Sequence, residues 1–323
     1  MQRSVSGLMG GEGARCAVMA AQNRREELSA YAQHTLAAPV SFRGVGLHTG
    51  QTIAVTLSPA AVNTGIRFIR TDVADRDPVV RAHGEAVCQT RLGTVIGNVD
   101  GVTVSTIEHL MACLCGLGVD NLTVELDGPE VPIMDGSCEP FLAILDRAGR
   151  RPQQARRRYI EILDRVEVVE DGKSATLCPA DSFEVAFEIL FDTSAIGRQR
   201  VDLVVDEMSF RHDLAASRTF GFLSEVEALR AAGLARGGSL DTVVVIEGDT
   251  ILNPGGLRRG DEFVRHKALD AIGDLYLLGA PLLGRYEGLY AGHGLNNALV
   301  RALLERPDAW RFSAPHEALA QAV

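Results

Sequence analysis

No apolar run in this 323-residue chain approaches the ~18 residues that a membrane span requires. No spanning helix is therefore expected. The longest apolar run near the N-terminus covers only residues 16–21, and Glu12 interrupts the approach to it, so a secretory leader is not expected either. The chain has six cysteines but no CxxC pair among them. Cys16, Cys88, Cys113, Cys115, Cys138 and Cys178 thus offer neither a cysteine zinc knuckle nor a disulfide framework. Cys113 and Cys115 fall in the apolar run Leu-Met-Ala-Cys-Leu-Cys, which reads as buried free thiols in a reduced cytoplasm. Basic charge is also short: 32 Lys and Arg against 42 Asp and Glu give a net charge of −10. A nucleic-acid binder normally carries a basic face, so no nucleic-acid partner is expected. A phosphorylated small molecule needs only one local basic patch and stays open.

What is present is material for two cores. The chain is 46% hydrophobic and 23% charged, with no low-complexity run, and its length suggests two domains of ~150 residues. Residues 1–34 read as a loose extension. Short alternating stretches at 52–57, 66–70, 79–88, 95–99, 102–104 and 121–126 read as strands. A helix is expected from Ser105, with Glu108 at capping-box spacing, to Gly116 or Gly118; a second covers 136–148. Five arginines within 150–158, together with Pro152, read as a solvated linker. The second half repeats the plan: strands at 159–169, 173–178, 183–191, 200–205, 242–247 and 284–291, with helices at 225–232, 261–278 and 296–305. The class is α+β. Two similar domains, 35–152 and 153–323, are expected to pack with their helices facing one site.

Residues 262–274 carry the strongest chemical signal. His266, Asp270 and Asp274 are spaced four apart, which puts their polar heads on one helix face. A histidine and a carboxylate one turn apart can ligate a divalent metal, Zn²⁺ first, with Fe²⁺ also accepted by such a set. Glu108 and His109 stand side by side on the earlier helix. Alone, they read as a cap and a satisfied core histidine. With His266 and Asp270, His109 completes a two-histidine, one-carboxylate set that leaves a position for water, and Glu108 becomes its base. His293, in a glycine-flanked segment, is a candidate proton donor that Asp274 would orient. Residues 216–222 combine a hydroxyl, a cation and two phenylalanines: Thr219 suits an oxyanion, and Phe222 a flat ring.

At this point the chain resembles one family, the UDP-3-O-acyl-N-acetylglucosamine deacetylases, zinc enzymes of lipid A biosynthesis in Gram-negative bacteria. The motifs that carry the likeness are Ser41-Phe-Arg-Gly-Val-Gly-Leu-His-Thr-Gly50, Ser105-Thr-Ile-Glu-His-Leu110, Pro129-Glu-Val-Pro-Ile-Met-Asp-Gly-Ser137, Ser217-Arg-Thr-Phe-Gly-Phe222, Asp261-Glu-Phe-Val-Arg-His-Lys267 and Gly292-His-Gly-Leu-Asn-Asn297. The resemblance implies that His109, His266 and Asp270 hold zinc, Glu108 is general base, and His293 with Asp274 is general acid or cationic stabiliser. Thr219 would polarise the acetyl carbonyl, and Lys267 would face the substrate phosphates. Leu92, Phe220 and Phe222 would line the nucleotide-sugar site.

The implied fold is two α+β domains with their helices sandwiched between two sheets. A small-sheet insert is expected around 71–98 and a β-α-β insert around 219–246. The latter would form a passage for the fatty acyl chain, matched here by Leu223, Val226, Ala235, Gly238, Ser239 and Val245. Gly93, Leu163 and Leu240 depart from the family pattern, and all three are expected at the uridine-diphosphate end, away from the metal. A cytoplasmic monomer acting on a small-molecule substrate is expected. The rival readings are a zinc deacetylase of another N-acyl sugar and a non-catalytic binding module for RNA or protein.

Overall fold

The computed structural model describes residues 31–314. The first half runs β1 (Ala32–Leu36), β2 (Val40–Val45), β3 (Thr52–Pro59), β4 (Ile66–Arg70), β5 (Val79–Arg81), β6 (Val87–Gln89), β7 (Val95–Gly97), β8 (Thr103–Val104), α1 (Glu108–Gly116), β9 (Leu122–Leu126) and α2 (Glu139–Ala148). The second runs β10 (Arg150–Arg156), β11 (Tyr159–Ile162), β12 (Val166–Glu170), β13 (Lys173–Cys178), β14 (Phe183–Leu190), β15 (Arg198–Val204), β16 (Phe220–Phe222), α3 (Leu223–Ala231), β17 (Val244–Glu247), β18 (Thr250–Ile251), α4 (Glu262–Leu275), β19 (Leu282–Leu289), α5 (His293–Leu304) and β20 (Trp310–Ser313).

The α+β class holds. A five-stranded sheet, β2-β3-β9-β4-β5, is drawn wholly from the first half, and a seven-stranded sheet built around β19 wholly from the second. Alternation drives both: in β3, Ile53, Val55 and Leu57 face the core, as the period-2 pattern requires. Helix α2 packs on β2, α4 and α5 pack on the second sheet, and α1 packs against α4, so the helices lie between the sheets over one continuous core. The first insert forms the sheet β6-β7-β8, beginning later in the chain than expected; β5 instead joins the main sheet. The second insert is β16-α3-β17, with β16 and β17 parallel, plus the antiparallel β18.

Three expectations are corrected. Arg150–Arg156 is a strand rather than a linker, paired with β1 through Thr35↔Arg151 and Leu36↔Arg150. Its signal was hidden because this ribbon is largely exposed, with Arg150 paired to Glu207, and buries no apolar stripe. Strand β1 also begins inside the stretch read as a loose extension; residues 1–30 lie outside the described residues. Ser105 does not cap α1. Its hydroxyl donates to the Pro129 carbonyl, Thr106 adopts φ 56°, and the helix starts only at Glu108.

Gly273 fixes how the two central helices meet. A Cβ there would lie 2.0 Å from the Glu108 carbonyl oxygen and 3.1 Å from the Ala112 nitrogen. Helices α1 and α4 therefore touch backbone to backbone, one residue from Asp274. A glycine inside a helix costs about 1 kcal/mol relative to alanine. Here it brings the polar start of α1 against the polar face of α4.

Candidate active site

Helix α4 is buried on nearly every side, so each of its polar groups needs a partner. Glu262 has one in Arg218, whose Nε donates at 2.8 Å. His266 has one in the Ser217 carbonyl, 3.0 Å from Nδ1, which places the ring proton there and leaves the Nε2 lone pair free. Asp274 accepts from the Thr94 hydroxyl (2.5 Å), from His293 Nδ1 (2.8 Å) and from the Asn296 amide (2.9 Å). Asp270 is incompletely matched. Lys267 Nζ donates to its Oδ2 at 3.0 Å, while Oδ1 is buried without a hydrogen-bond partner.

That oxygen faces two imidazoles. His109 Nε2 lies 3.5 Å and His266 Nε2 3.4 Å from Asp270 Oδ1, and one ligand atom from each of the three residues falls within 4.8 Å of the others. Tetrahedral coordination at ~2.0–2.1 Å places neighbouring ligand atoms about 3.3 Å apart. The donor set therefore fits a small divalent ion, and the unpartnered Asp270 Oδ1, facing both Nε2 atoms, marks where its charge belongs. Protonation states agree with that role. Burial lowers the His266 pKa to about 4, outweighing the pull of Asp270, so the ring is neutral. Burial opposes ionisation of Asp270, yet His266 and Lys267 hold its carboxyl well below the usual range.

Glu108 and His293 flank these three residues. Glu108 is buried at the start of α1, where Oε2 accepts from the Thr94 N–H at 2.9 Å. Burial raises its pKa, against the attraction of His293 and His109. His293 is not in an open loop, as its glycine neighbours implied: it opens α5, and its Nε2 lies 3.8 Å from Asp270 Oδ2. Burial alone would lower its pKa, but the Asp274 carboxylate overrides it and holds the ring at about 9. The site thus sets a carboxylate and an imidazole, both of raised pKa, beside the three candidate ligands, a pairing suited to general base and general acid work.

The other singled-out residues are distributed around this centre. Thr219 follows Ser217 by two residues and is tied by its N–H to the Gly136 carbonyl and by its own carbonyl to Val244. Phe220 packs edge-on against Phe263 (4.8 Å) and faces the His266 ring at 6.4 Å; Phe222 packs on Phe191. Lys267 turns inward to Asp270. Leu92 is exposed and left-handed, and its carbonyl lies 3.1 Å from His48 Nε2. Leu223 and Val226 lie on α3, which buries no residue; Ala235, Gly238 and Ser239 follow it, and Val245 is half-buried on β17. Gly93 requires a correction: it stands beside the candidate base, where an added Cβ would lie 2.9 Å from Glu108 Oε1. Leu163 and Leu240 are exposed.

Thr94 and Asn296 escaped the sequence reading. Thr94 binds both Glu108 and Asp274 from a loop with no periodic signature. Asn296 lies within the 292–297 motif, where its place one helical turn after His293 was the available signal; its burial against Asp274 is a tertiary fact.

With the geometry in place, comparison with known proteins identifies the family. Residues 33–305 match the family model LpxC, UDP-3-O-acyl N-acetylglycosamine deacetylase. A relative named UDP-3-O-acyl-N-acetylglucosamine deacetylase from Phenylobacterium zucineum is 66% identical over 291 residues, covering 90% of this chain and 99% of the relative. Relatives of the same name are 49% identical in Chromohalobacter salexigens (87% of this chain, 92% of the relative) and 48% identical in Myxococcus xanthus (88% and 90%). The chain belongs to the LpxC deacetylase family.

Proposed function

We propose that this chain hydrolyses the 2-acetamido group of a UDP-3-O-[(3R)-3-hydroxyacyl]-N-acetylglucosamine, releasing acetate and the free sugar amine, the committed step of lipid A biosynthesis. The observation that carries the reading is the convergence of His109, His266 and Asp270 between Glu108 and His293, in a chain of this family. The three residues would hold Zn²⁺, or Fe²⁺ where that is the available ion, supplying a Lewis acid and an acidified water. Glu108 takes the proton from the attacking water. Thr219 donates a hydrogen bond to the acetyl oxygen as it becomes an oxyanion. His293, kept cationic by Asp274, delivers its proton to the departing amine.

Substrate contacts follow from the surroundings. Lys267 offers its ammonium to the diphosphate once a metal offsets the Asp270 charge. Leu92, Phe220 and Phe222 border the nucleotide sugar. Leu223, Val226, Ala235, Gly238, Ser239 and Val245 line the acyl passage. An uncovered strand face supports this: Gly221 pairs with Val245, and a Cβ at Gly221 would meet nothing within 4 Å. The site is complete within one chain, which supports a monomer, and a nucleotide-sugar substrate supports the cytoplasm.

The deciding assay compares acylated with non-acylated UDP-sugar, with and without chelator and added Zn²⁺. Turnover should vanish on chelation and return with metal. Burying only four methylenes at ~0.8 kcal/mol each would favour the acylated substrate by at least ~100-fold. Equal turnover of both would transfer the reading to a deacetylase of another N-acyl sugar. No turnover by metal-loaded protein would end it.

A pH prediction follows from His293. Its folded pKa, about 9, stands above the ordinary 6.5, so the Asp274–His293 pair contributes stability below ~6.5 that is lost as pH rises through ~9. The alkaline limb of kcat should follow the same group. Asp274→Asn removes the carboxylate and should move that limb to lower pH. An unmoved limb in a folded, metal-loaded Asn variant would exclude His293 as the titrating acid.

A further inference from the structure

Glu130 is fully buried at 0% exposure, touches no cation among the described residues and lies outside the catalytic set. Its carboxylate is satisfied entirely by neutral donors. Oε1 accepts from the His48 N–H (2.8 Å) and the Thr106 hydroxyl (3.0 Å). Oε2 accepts from the Thr49 N–H (2.9 Å) and the Thr49 hydroxyl (2.8 Å). The fit leaves no room for a side chain at Gly46, where a Cβ would fall 2.3 Å from Oε2.

The two arms on Oε1 lead to strained turns beside the site. Thr106, at φ 56°, precedes Glu108 by two residues. His48, fixed by its N–H, uses its ring twice: Nε2 lies 3.1 Å from the Leu92 carbonyl and Nδ1 3.5 Å from the Ala235 N–H. One neutral tautomer satisfies both contacts, donating to Leu92 and accepting from Ala235. Leu92 (φ 62°) and Ala235 (φ 52°) are left-handed as well. Gly237 donates to the Leu47 carbonyl at 2.9 Å, completing the tie between the second insert and the 46–50 turn. Left-handed non-glycine residues are strained and persist only where surroundings over-determine them. Here a single carboxylate anchors the surroundings of all three.

We propose that Glu130 is a positioning residue. It couples the start of α1, which carries the candidate base, to the Leu92 turn at the nucleotide-sugar site and the Ala235 turn at the acyl passage, so selectivity for an acylated substrate depends on a carboxylate that touches no substrate. This rests on the deacetylase reading above. In Glu130→Gln the amide keeps the shape but turns an NH₂ toward groups that donate, breaking at least one of the four bonds.

The test measures kcat/KM for acylated and non-acylated UDP-sugar in wild type, Glu130→Gln, Glu130→Asp and Thr49→Val, alongside metal content and melting temperature. The acylated-to-non-acylated ratio should fall by about 10- to 100-fold in Glu130→Gln, the scale of a displacement near 1 Å, with metal content unchanged. Glu130→Asp, which keeps the charge, should recover part of it. Thr49→Val removes only one of the four bonds, so it tests the same claim even if the Gln protein does not fold; its ratio should fall by about threefold, a mild form of the same displacement. A proportional loss on both substrates, leaving the ratio unchanged in folded protein, would make Glu130 purely structural and overturn the proposal. A wild type that does not process the acylated sugar overturns the functional reading itself, and this proposal with it.

Discussion

Replacing Glu108 by glutamine is expected to lower kcat by about 10²- to 10⁴-fold, the usual contribution of a positioned general base, which is about 3–5 kcal/mol of barrier. KM should change little, because proton acceptance matters in the transition state rather than in the bound ground state. The glutamine oxygen can still accept from the Thr94 N–H that now binds Oε2 at 2.9 Å, so the loop and the start of α1 keep their anchor. What disappears is the capacity to take a proton. Burial raises the Glu108 pKa toward working pH, which makes it a stronger base than an exposed carboxylate. Turnover within about tenfold of wild type would remove Glu108 from the base role. A raised KM at unchanged kcat would make it a binding group.

The second large effect belongs to Asp270. Its Oδ1 is the shared neighbour of both imidazoles, at 3.5 and 3.4 Å, and has no other partner. Asp270→Ala should weaken metal binding by more than the 10- to 100-fold typical of losing an outer-shell partner, with activity falling in step. The readout need not be catalytic. A ligand that binds only the folded protein stabilises it, by about 2.7 kcal/mol at a hundred times Kd. Adding Zn²⁺ to chelated wild type should therefore raise the melting temperature, and the rise should vanish in Asp270→Ala. An undiminished rise, or stoichiometric metal surviving dialysis of the variant, would place the ion elsewhere. His266→Ala should behave alike, because its ring is held neutral, with Nδ1 engaged by the Ser217 carbonyl, as a ligand should be.

Much of the site was legible because helices are periodic. The spacing of His266, Asp270 and Asp274 put three polar groups on one face before any contact was known, and α4 does present them together. Periodicity also marked the strands, since Ile53, Val55 and Leu57 alternate inward. Other features were hidden for identifiable reasons. The arginine-rich β10 offers no apolar stripe to read. Ser105 matched a capping box, but its hydroxyl has a nearer partner in the Pro129 carbonyl, and local spacing does not register that competition. His293 looked exposed between glycines, yet tertiary packing encloses it against Asp274.

The chain itself thus determined its α+β class, the helix that carries the metal-ligating spacing, and the family motifs, because period, residue type and order are properties of one strand of covalent chain. Only the tertiary structure decided that His109 reaches the pair on α4, that Thr94 and Asn296 complete the site, and that Glu130 braces three strained turns. Those facts depend on segments 180 or more residues apart meeting within hydrogen-bond reach, and a backbone contact at Gly273 brings the two central helices together.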